Sequence, residues 1–424
     1  MVEIRPFKAI RYTKKAGDLE NLVAEPYDKI DEKMQNEYYA KSPYNFCRVI
    51  LPKEIDRYTI AKDRIQKWLT EKILAKDEDP AVFVCRQHFE LNHRPVTRTG
   101  LIVASRLHSF RENKVFPHEV TYTAPKTDRL NMLRLVQKDL EPVFLIYSDE
   151  ENITIDFFAQ VARRQPLARV KDALEVEHTL WMVTDPVEIK LLQKTLEDKI
   201  FVITDGHHRY ESAIAYRDEM CKQNPWNEDA AFNFHMSYIV PYQEEGLLVL
   251  PTHRLLKKHS VTNSIILALA KFFSISEIDP TTESIEAFLE NHKDQHAYCI
   301  YERGKAHGLL LKDEKSVLRY ITAGCKESCL LDVVILRDLI FKNIFKTGEL
   351  ELDEDILYAR WTKEAIAKVD SHEANIAFLL NPVSPETVWR IAQKRERLPE
   401  KSTDFYPKMV SGLMMMDVSP EEQL

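Results

Sequence analysis

Residues 200–213 read IFVITDGHHRYESA. A short apolar run breaks off at Asp205-Gly206, two histidines and an arginine follow at once, and a chain of helical texture resumes. The run 199–204 is too short and too rich in β-branched and aromatic residues for a helix, so it reads as a buried strand. Residues 208–224 read as the helix after it. A helix that starts directly behind a strand aims unpaired backbone N–H groups, and the positive end of its macrodipole, past the strand end. Gly206 permits a tight turn and the close approach of a ligand. Arg209 carries a fork suited to phosphate oxygens, and His207 and His208 can donate hydrogen bonds or take protons. Those are the ingredients of an anion site at a helix N-terminus, built without a glycine-rich loop. Two other readings stay open. Asp205 is also a good helix cap, with the histidines then at the surface. His207 and His208 could instead share a metal, although the HxxxH spacing of a helical zinc site is absent.

Working outward, periodicity predicts a helix in 56–77 with Trp68 and Leu69 on its buried stripe. It predicts two strands, AVFVCRQHFEL and TRTGLIVASRL, joined at NHRP, and a helix over 127–140 capped by Thr127. A strand PVFLIYS follows, then a helix over 185–198 opened by Asp185-Pro186. FHMSYIVPY and GLLVLPTHRLL supply two further strands, and helical segments such as 261–273 and 330–346 mix with short strands thereafter. The expectation is mixed α/β, divided into an N-terminal segment 1–99, a domain 100–257 carrying DGHHRY, and a helix-rich C-terminal lobe 258–424.

With 424 residues the chain exceeds one ordinary core, and 44% hydrophobic with 30% charged residues is a globular balance. A net charge of −8 argues against a general nucleic-acid binder. Neither a secretory h-region nor an apolar run of membrane-spanning length occurs. The six cysteines are scattered, only Cys325 and Cys329 lie close, and they read as reduced thiols in a cytoplasm. Nine glycines leave little material for a phosphate loop, and neither GxxxxGK[ST] nor GxGxxG is present. GxSxG is missing too, and no cysteine sits beside a histidine, so covalent hydrolase chemistry is a poor candidate.

The DGHHRYESA stretch resembles the signature of the domain-of-unknown-function 1015 family, and the likeness runs almost end to end. RPFKAIRY and AEPYDKI (24–30) resemble its opening, followed by SPYNFCRVILP (42–52). FPHEVTYTAPKTDRLNMLR (116–134) is similar to its His-Glu segment and GLLVLPTHRLL (246–256) to its Pro-Thr-His-Arg segment. LLNP (379–382) and LPEKSTDFYPKMVSG (398–412) are similar to its close. Glu25 stands where the family commonly has Pro, and LPEKSTDF replaces the more usual MPQKSTYF, so Glu25 and Glu400 receive no role from the resemblance. The DGHHR segment is in turn similar to the phosphate-binding motif of the ParB/sulfiredoxin superfamily, which includes kinases that phosphorylate free L-serine with ADP or ATP.

That resemblance implies a ParB-like nucleotide-binding unit and a phosphotransferase using ATP or ADP with Mg2+, free L-serine being the leading acceptor. Gly206, His207, Arg209, Lys126, Arg129, Lys401, Ser402 and Thr403 would then hold phosphates. Glu119, Asp205 and His208 would be catalytic, with Glu119 also the magnesium ligand, since phosphoryl transfer needs charge neutralisation and a base. His253, Arg254 and Asn45 would bind the acceptor, Arg254 clamping its carboxylate. Asp28 would help order the site. Each has a plainer reading as well: His118-Glu119 as a loop ion pair, Asp128 as first-turn charge, Arg254 as a surface salt bridge, KSTDFYPK as a turn. A nucleotide-sensing module and a metal-dependent hydrolase using His118, His207 and His208 remain as other classes. The expected partners are a small-molecule substrate and a nucleotide, with no nucleic acid and no membrane, and a homodimer is one candidate assembly that the sequence does not decide.

Overall fold

A computed structural model of the chain describes residues 2–91, 94–119, 123–225, 227–321, 326–347, 355–399 and 401–424. Cys325 and Glu400, both named above, lie outside these. The chain divides into two compact units, Met1–Leu247 with Pro407–Leu424, and Leu248–Tyr406. No helix among the described residues is long and apolar enough to cross a membrane.

Unit 1 is built on a nine-stranded mixed sheet. Its strands are β1 (Ile4–Arg5), β2 (Val82–Leu91), β3 (Arg94–Arg106), β4 (Val115–Pro117), β5 (Val143–Tyr147), β6 (Ala168–Lys171), β7 (Glu177–Val183), β8 (Phe201–Asp205) and β9 (Phe234–Pro241). The order is β4-β8-β5-β9-β3-β2-β7-β6, with β1 on β3. β8 runs parallel to β4 and antiparallel to β5, with a bulge between Ile203 and Asp205. The helices of this unit include α1 (Arg57–Thr70), α2 (Thr123–Val136), α3 (Ile153–Val161), α4 (Pro186–Leu196) and α5 (His207–Gln223), of which α3, α4 and α5 pack on the sheet. Residues two apart, Val143 with Leu145 and Phe201 with Ile203, join Phe157, Val161, Leu192, Leu196 and Tyr210 in one apolar cluster. Phe201, Val202 and Ile203 are all buried, the continuous run expected of a strand covered on both faces. Burying a side chain such as Phe201 is worth about 1.5–3 kcal/mol.

The helix over 185–198 forms as read, Pro186–Leu196, with Asp185 accepting from the Val187 N–H at 2.8 Å. Trp68 is buried, while Leu69 is only partly so. The Thr127 cap is a correction. α2 begins at Thr123, because Pro125 falls in the first turn, where its missing N–H leaves no intrahelical bond unmade.

Unit 2 holds a six-stranded, wholly antiparallel sheet of β10 (His253–Leu256), β11 (Phe273–Ile278), β12 (Ala297–Glu302), β13 (Lys305–Leu311), β14 (Ile356–Ala359) and β15 (Ile376–Leu380). Their order is β11-β13-β12-β15-β10-β14. Leu255, Cys299, Ala377 and Leu379 pack on helices α6 (Thr282–Asn291) and α8 (Thr362–Asp370). Phe378 stacks edge-on with Phe341 and Phe345, at or next to the end of α7 (Leu336–Ile344), a helix of π type. The helical texture read in the C-terminal part thus coexists with a sheet of short strands, of which Ala297–Glu302 and Ile376–Leu380 are buried almost throughout, a pattern that periodicity does not separate from helix. Pro407–Leu424 belong to unit 1 and not to a C-terminal lobe.

Candidate functional site

Gly206 turns the chain from β8 into α5 with φ +86°, a left-handed conformation, and α5 starts without any side-chain cap. Asp205 is therefore not the helix cap. Its Oδ2 accepts from Arg209 Nη2 at 2.6 Å and its Oδ1 from Lys408 Nζ at 2.8 Å. Arg209 donates its other terminal nitrogen to the carbonyl of Pro142 at 2.5 Å. The fork expected to face phosphate thus points inward, tying the turn to the residue before β5. A Cβ on Gly206 would lie 2.9 Å from Arg209 Nε. Burial works against the Asp205 charge, but Lys408 and Arg209 outweigh it and hold the carboxyl well below the usual carboxylate range. Burial opposes the Arg209 charge also, yet Glu141, Asp205 and Asp28 raise its pKa further.

The parallel pairing of β8 with β4 sets Ile203 beside Pro117, so the two strand ends emerge together. His118 and Glu119 thereby meet the histidines of α5. The His118 N–H donates to His207 Nε2 at 3.3 Å, and the two rings lie 4.8 Å apart. Burial, with His118 nearby, pushes His207 down to about 3, so it is a neutral imidazole at neutral pH. His118 Nδ1 donates to the Ile203 carbonyl at 2.5 Å, and its Nε2 stands 3.6 Å from Glu119 Oε1. With Nδ1 committed to a carbonyl, Nε2 faces the carboxyl as an acceptor unless an additional proton sits on one of the two.

Behind this front lies Glu141, buried at 3% exposure. Its Oε1 accepts from the Tyr27 N–H at 3.2 Å and from Ser411 Oγ at 2.6 Å. Arg129 stacks its guanidinium 3.9 Å over the Tyr27 ring and bonds Asp128 through Nε at 2.9 Å. Lys126 pairs with Glu211 of α5 at 2.7 Å. Asp205, Gly206, His207, His208, Arg209, His118, Glu119, Lys126 and Arg129 are thus all carried on β4, β8, α2 and α5 or at their ends.

Other expected residues lie elsewhere. Asn45 is fully buried, its amide donating to the carbonyls of Asn21 and Val23 and its oxygen accepting from Cys47 N–H. Every polar atom of that amide is engaged with backbone, so it orders the loop and has no group left for an acceptor. His253, Arg254, Lys401, Ser402 and Thr403 belong to unit 2. Thr252 Oγ1 donates to the Lys401 carbonyl at 2.5 Å and Ser402 Oγ to that of Pro399 at 2.5 Å. His253 Nδ1 accepts from Leu380 N–H at 3.4 Å, and burial beside Arg254 brings its pKa down to about 3. Among the described residues no three His, Cys, Asp or Glu side chains converge as a metal set.

The chain matches the family described as Protein of unknown function (DUF1015) over residues 4–334. It belongs to that family. A search of curated proteins returned no match. Among solved structures it is similar to a conserved hypothetical protein from Pyrococcus furiosus, at 14% identity and TM-score 0.33, covering 74% of this chain and 94% of that one. A free serine kinase in complex with AMP gives 14% identity and TM-score 0.35, covering 77% and 93%. SbnI from Staphylococcus aureus gives 9% and 0.30, covering 75% and 87%.

The sequence of this DUF1015 chain does not single out Glu141 or Tyr27, and it offers Lys408, with Lys401, as one of two lysines that could cradle phosphate; Lys408 instead pairs with Asp205. Glu141 had one signal, an acid standing directly before Pro142 and the apolar run of β5. Nothing local marks Lys408 as the partner of a residue some two hundred positions earlier.

Proposed function

We propose that the β8–Gly206–α5 turn binds the phosphates of ATP or ADP and that the chain transfers a phosphoryl group to the hydroxyl of a small metabolite, free L-serine being the first acceptor to test. The observation that carries this reading is the uncapped start of α5. Its N-cap, Gly206, has no side chain to offer, and Asp205, the residue before it, is engaged by Lys408 and Arg209. A helix N-terminus left in that state favours an anion. His208, partly exposed at the first turn, would donate to the same oxygens. Arg209, turned inward, holds the turn in shape.

Asp205 and Glu119 are the two carboxylates near the turn, and electrostatics divides their work. A carboxyl held ionised by two cations is a weak base, so Asp205 is poorly suited to take a proton. Glu119 is more exposed and stands by His118 Nε2. It would accept the proton of the attacking hydroxyl, with His118 positioned to share it. Magnesium, which supplies charge neutralisation when bound, would be held by Glu119 together with the nucleotide's own phosphates, the habit of that ion. A hydrolase built on three histidines has no donor set in its favour among the described residues.

The test is incubation of the purified chain with Mg2+, ATP or ADP, and a panel of hydroxyl metabolites headed by L-serine, followed by 31P NMR. A new phosphomonoester resonance is the expected result. Nucleotide bound without transfer to any acceptor would leave a sensor and end the kinase reading. Absence of nucleotide binding would end both.

A further inference from the structure

Among the described residues, unit 2 contains a buried cation that no carboxylate neutralises. Arg254, on β10, is 4% exposed, and its Nη1 has no hydrogen-bond partner. Its Nη2 reaches the Lys401 carbonyl at 3.5 Å, at the long limit of a hydrogen bond, and the Tyr358 hydroxyl is its other polar neighbour. Among the described residues no carboxylate pairs with it. The groups acting on it are the neutral Tyr358 and Tyr298 hydroxyls and a like charge, Arg337, whose own fork is taken by Asp338. A guanidinium stays charged in proteins, and a buried charge is ordinarily paired. An uncompensated buried guanidinium is therefore a cost that the fold leaves standing until something negative arrives.

The surroundings are those of a seat. Arg254 lies opposite Tyr358 in the β10–β14 register and opposite Phe378 in the β10–β15 register. β14 is the edge strand, and Tyr358 is 42% exposed there, its ring 5.8 Å from the guanidinium carbon. Lys401, exposed and with φ +55°, is held over the start of β10 by Thr252 and Arg254, both bonding its carbonyl. A non-glycine residue in the left-handed region persists only where its neighbours fix it. Ser402, buried beside it, is fixed by Pro399. Lys401 and Ser402 are thus held in a conformation in which neither bonds Nη1.

We propose that unit 2 has its own oxyanion site, in which Arg254 takes a carboxylate or phosphate oxygen of a small molecule at the β14 edge, beside Tyr358 and Lys401. The site does not depend on the phosphoryl-transfer reading, since the anion binds whether or not phosphate is moved. A planar fork serves carboxylate and phosphate alike, so the two sources are separated by experiment.

The experiment is isothermal titration calorimetry on the full chain in a buffer free of other oxyanions, with inorganic phosphate in one arm and acetate in the other. The wild-type chain is expected to take up one equivalent of at least one of them, and the arm that binds names the source. Arg254→Met keeps the stem and removes the charge. It should bind at least tenfold more weakly, and be as stable as wild type or more so when no anion is present, because it removes an unpaired buried cation. Binding undiminished in Arg254→Met, or a clear loss of stability in anion-free buffer, would assign Arg254 to the fold instead. A wild-type chain that titrates with neither anion overturns the proposal whether or not the variant folds.

Discussion

Lys408 Nζ lies 2.8 Å from Asp205 Oδ1, joining the last segment of unit 1 to the strand end at which α5 begins. With Arg209 on the other carboxylate oxygen, Asp205 sits between two cations and is kept from capping the helix. The candidate anion site is therefore made from two directions. One partner comes from four residues along, the other from the far end of the chain.

Lys408→Met should cost about 1–3 kcal/mol of stability at pH 7, the penalty of leaving a buried acceptor short of one charged donor while Arg209 still holds the other oxygen. Asp205 is lowered in the folded state, so its contribution is fully present above the unfolded carboxyl value and is lost only as pH falls from there through the lowered folded value. Urea unfolding at a series of pH values from 7 down to 2 should show the gap between wild type and variant narrowing only at the acid end, as Asp205 protonates in the folded chain. A gap that persists undiminished there would mean that Lys408 acts by packing alone.

Two glycines allow the Gly206 requirement to be split. Gly304 and Gly206 both have positive φ, at +74° and +86°, but a Cβ on Gly304 would meet nothing within 4 Å, whereas one on Gly206 meets Arg209. Gly304→Ala should lose about 1–2 kcal/mol from backbone strain alone. Gly206→Ala should lose that and more, because Arg209 must also leave Asp205 or Pro142. Equal losses in denaturant melts would show that the Arg209 contact carries no weight.

The strand–turn–helix around Asp205-Gly206 is legible in the sequence because its signals are local: a short apolar run, a glycine and a helical texture. So are Asp185-Pro186 and the pairing of strands β2 and β3. The encounter of His118 with His207 is not, since it depends on β4 lying parallel to β8, and strand order leaves no mark in either segment. Arg209 misleads for a related reason. A fork beside two histidines looks outward-facing in sequence, and only the carbonyl of Pro142 and the charge of Asp205 turn it in. Arg254 is the reverse case, an arginine readable as a surface salt bridge that the sheet of unit 2 buries with no carboxylate partner among the described residues.

His207 supplies a pH test. Its pKa falls from the ordinary 6.5 to about 3 on burial, so between those values the unfolded chain binds a proton that the folded chain refuses. Stability must then rise with pH across that window, by up to about 1.4 kcal/mol per unit. His207→Gln, which cannot take a proton, should flatten the dependence between pH 4.5 and 6.5. Its histidine resonances, compared with wild type by NMR, identify the His207 signal, which should stay unshifted from pH 7.5 to 5. A His207 resonance titrating near 6.5 would contradict the burial described.

Glu119 and Asp205 are both acids within reach of the turn, and the division of work proposed for them separates in a rate measurement. Glu119→Gln keeps shape and removes the base, so phosphoryl transfer should fall by about a hundred- to ten-thousandfold, while nucleotide affinity weakens only as far as magnesium depends on this carboxylate. The unfolding midpoint should hardly move, because Glu119 is partly exposed and its contact with His118 is long. Asp205→Asn should behave the other way. Lys408 and Arg209 would be left against a neutral amide, the turn would lose stability, and any loss of rate would follow loss of the folded turn. Single-turnover rates and urea melts on the same preparations make the comparison. A Glu119→Gln variant at full rate beside a folded but inactive Asp205→Asn would exchange the two roles and make Asp205, despite its cations, the group that touches the substrate.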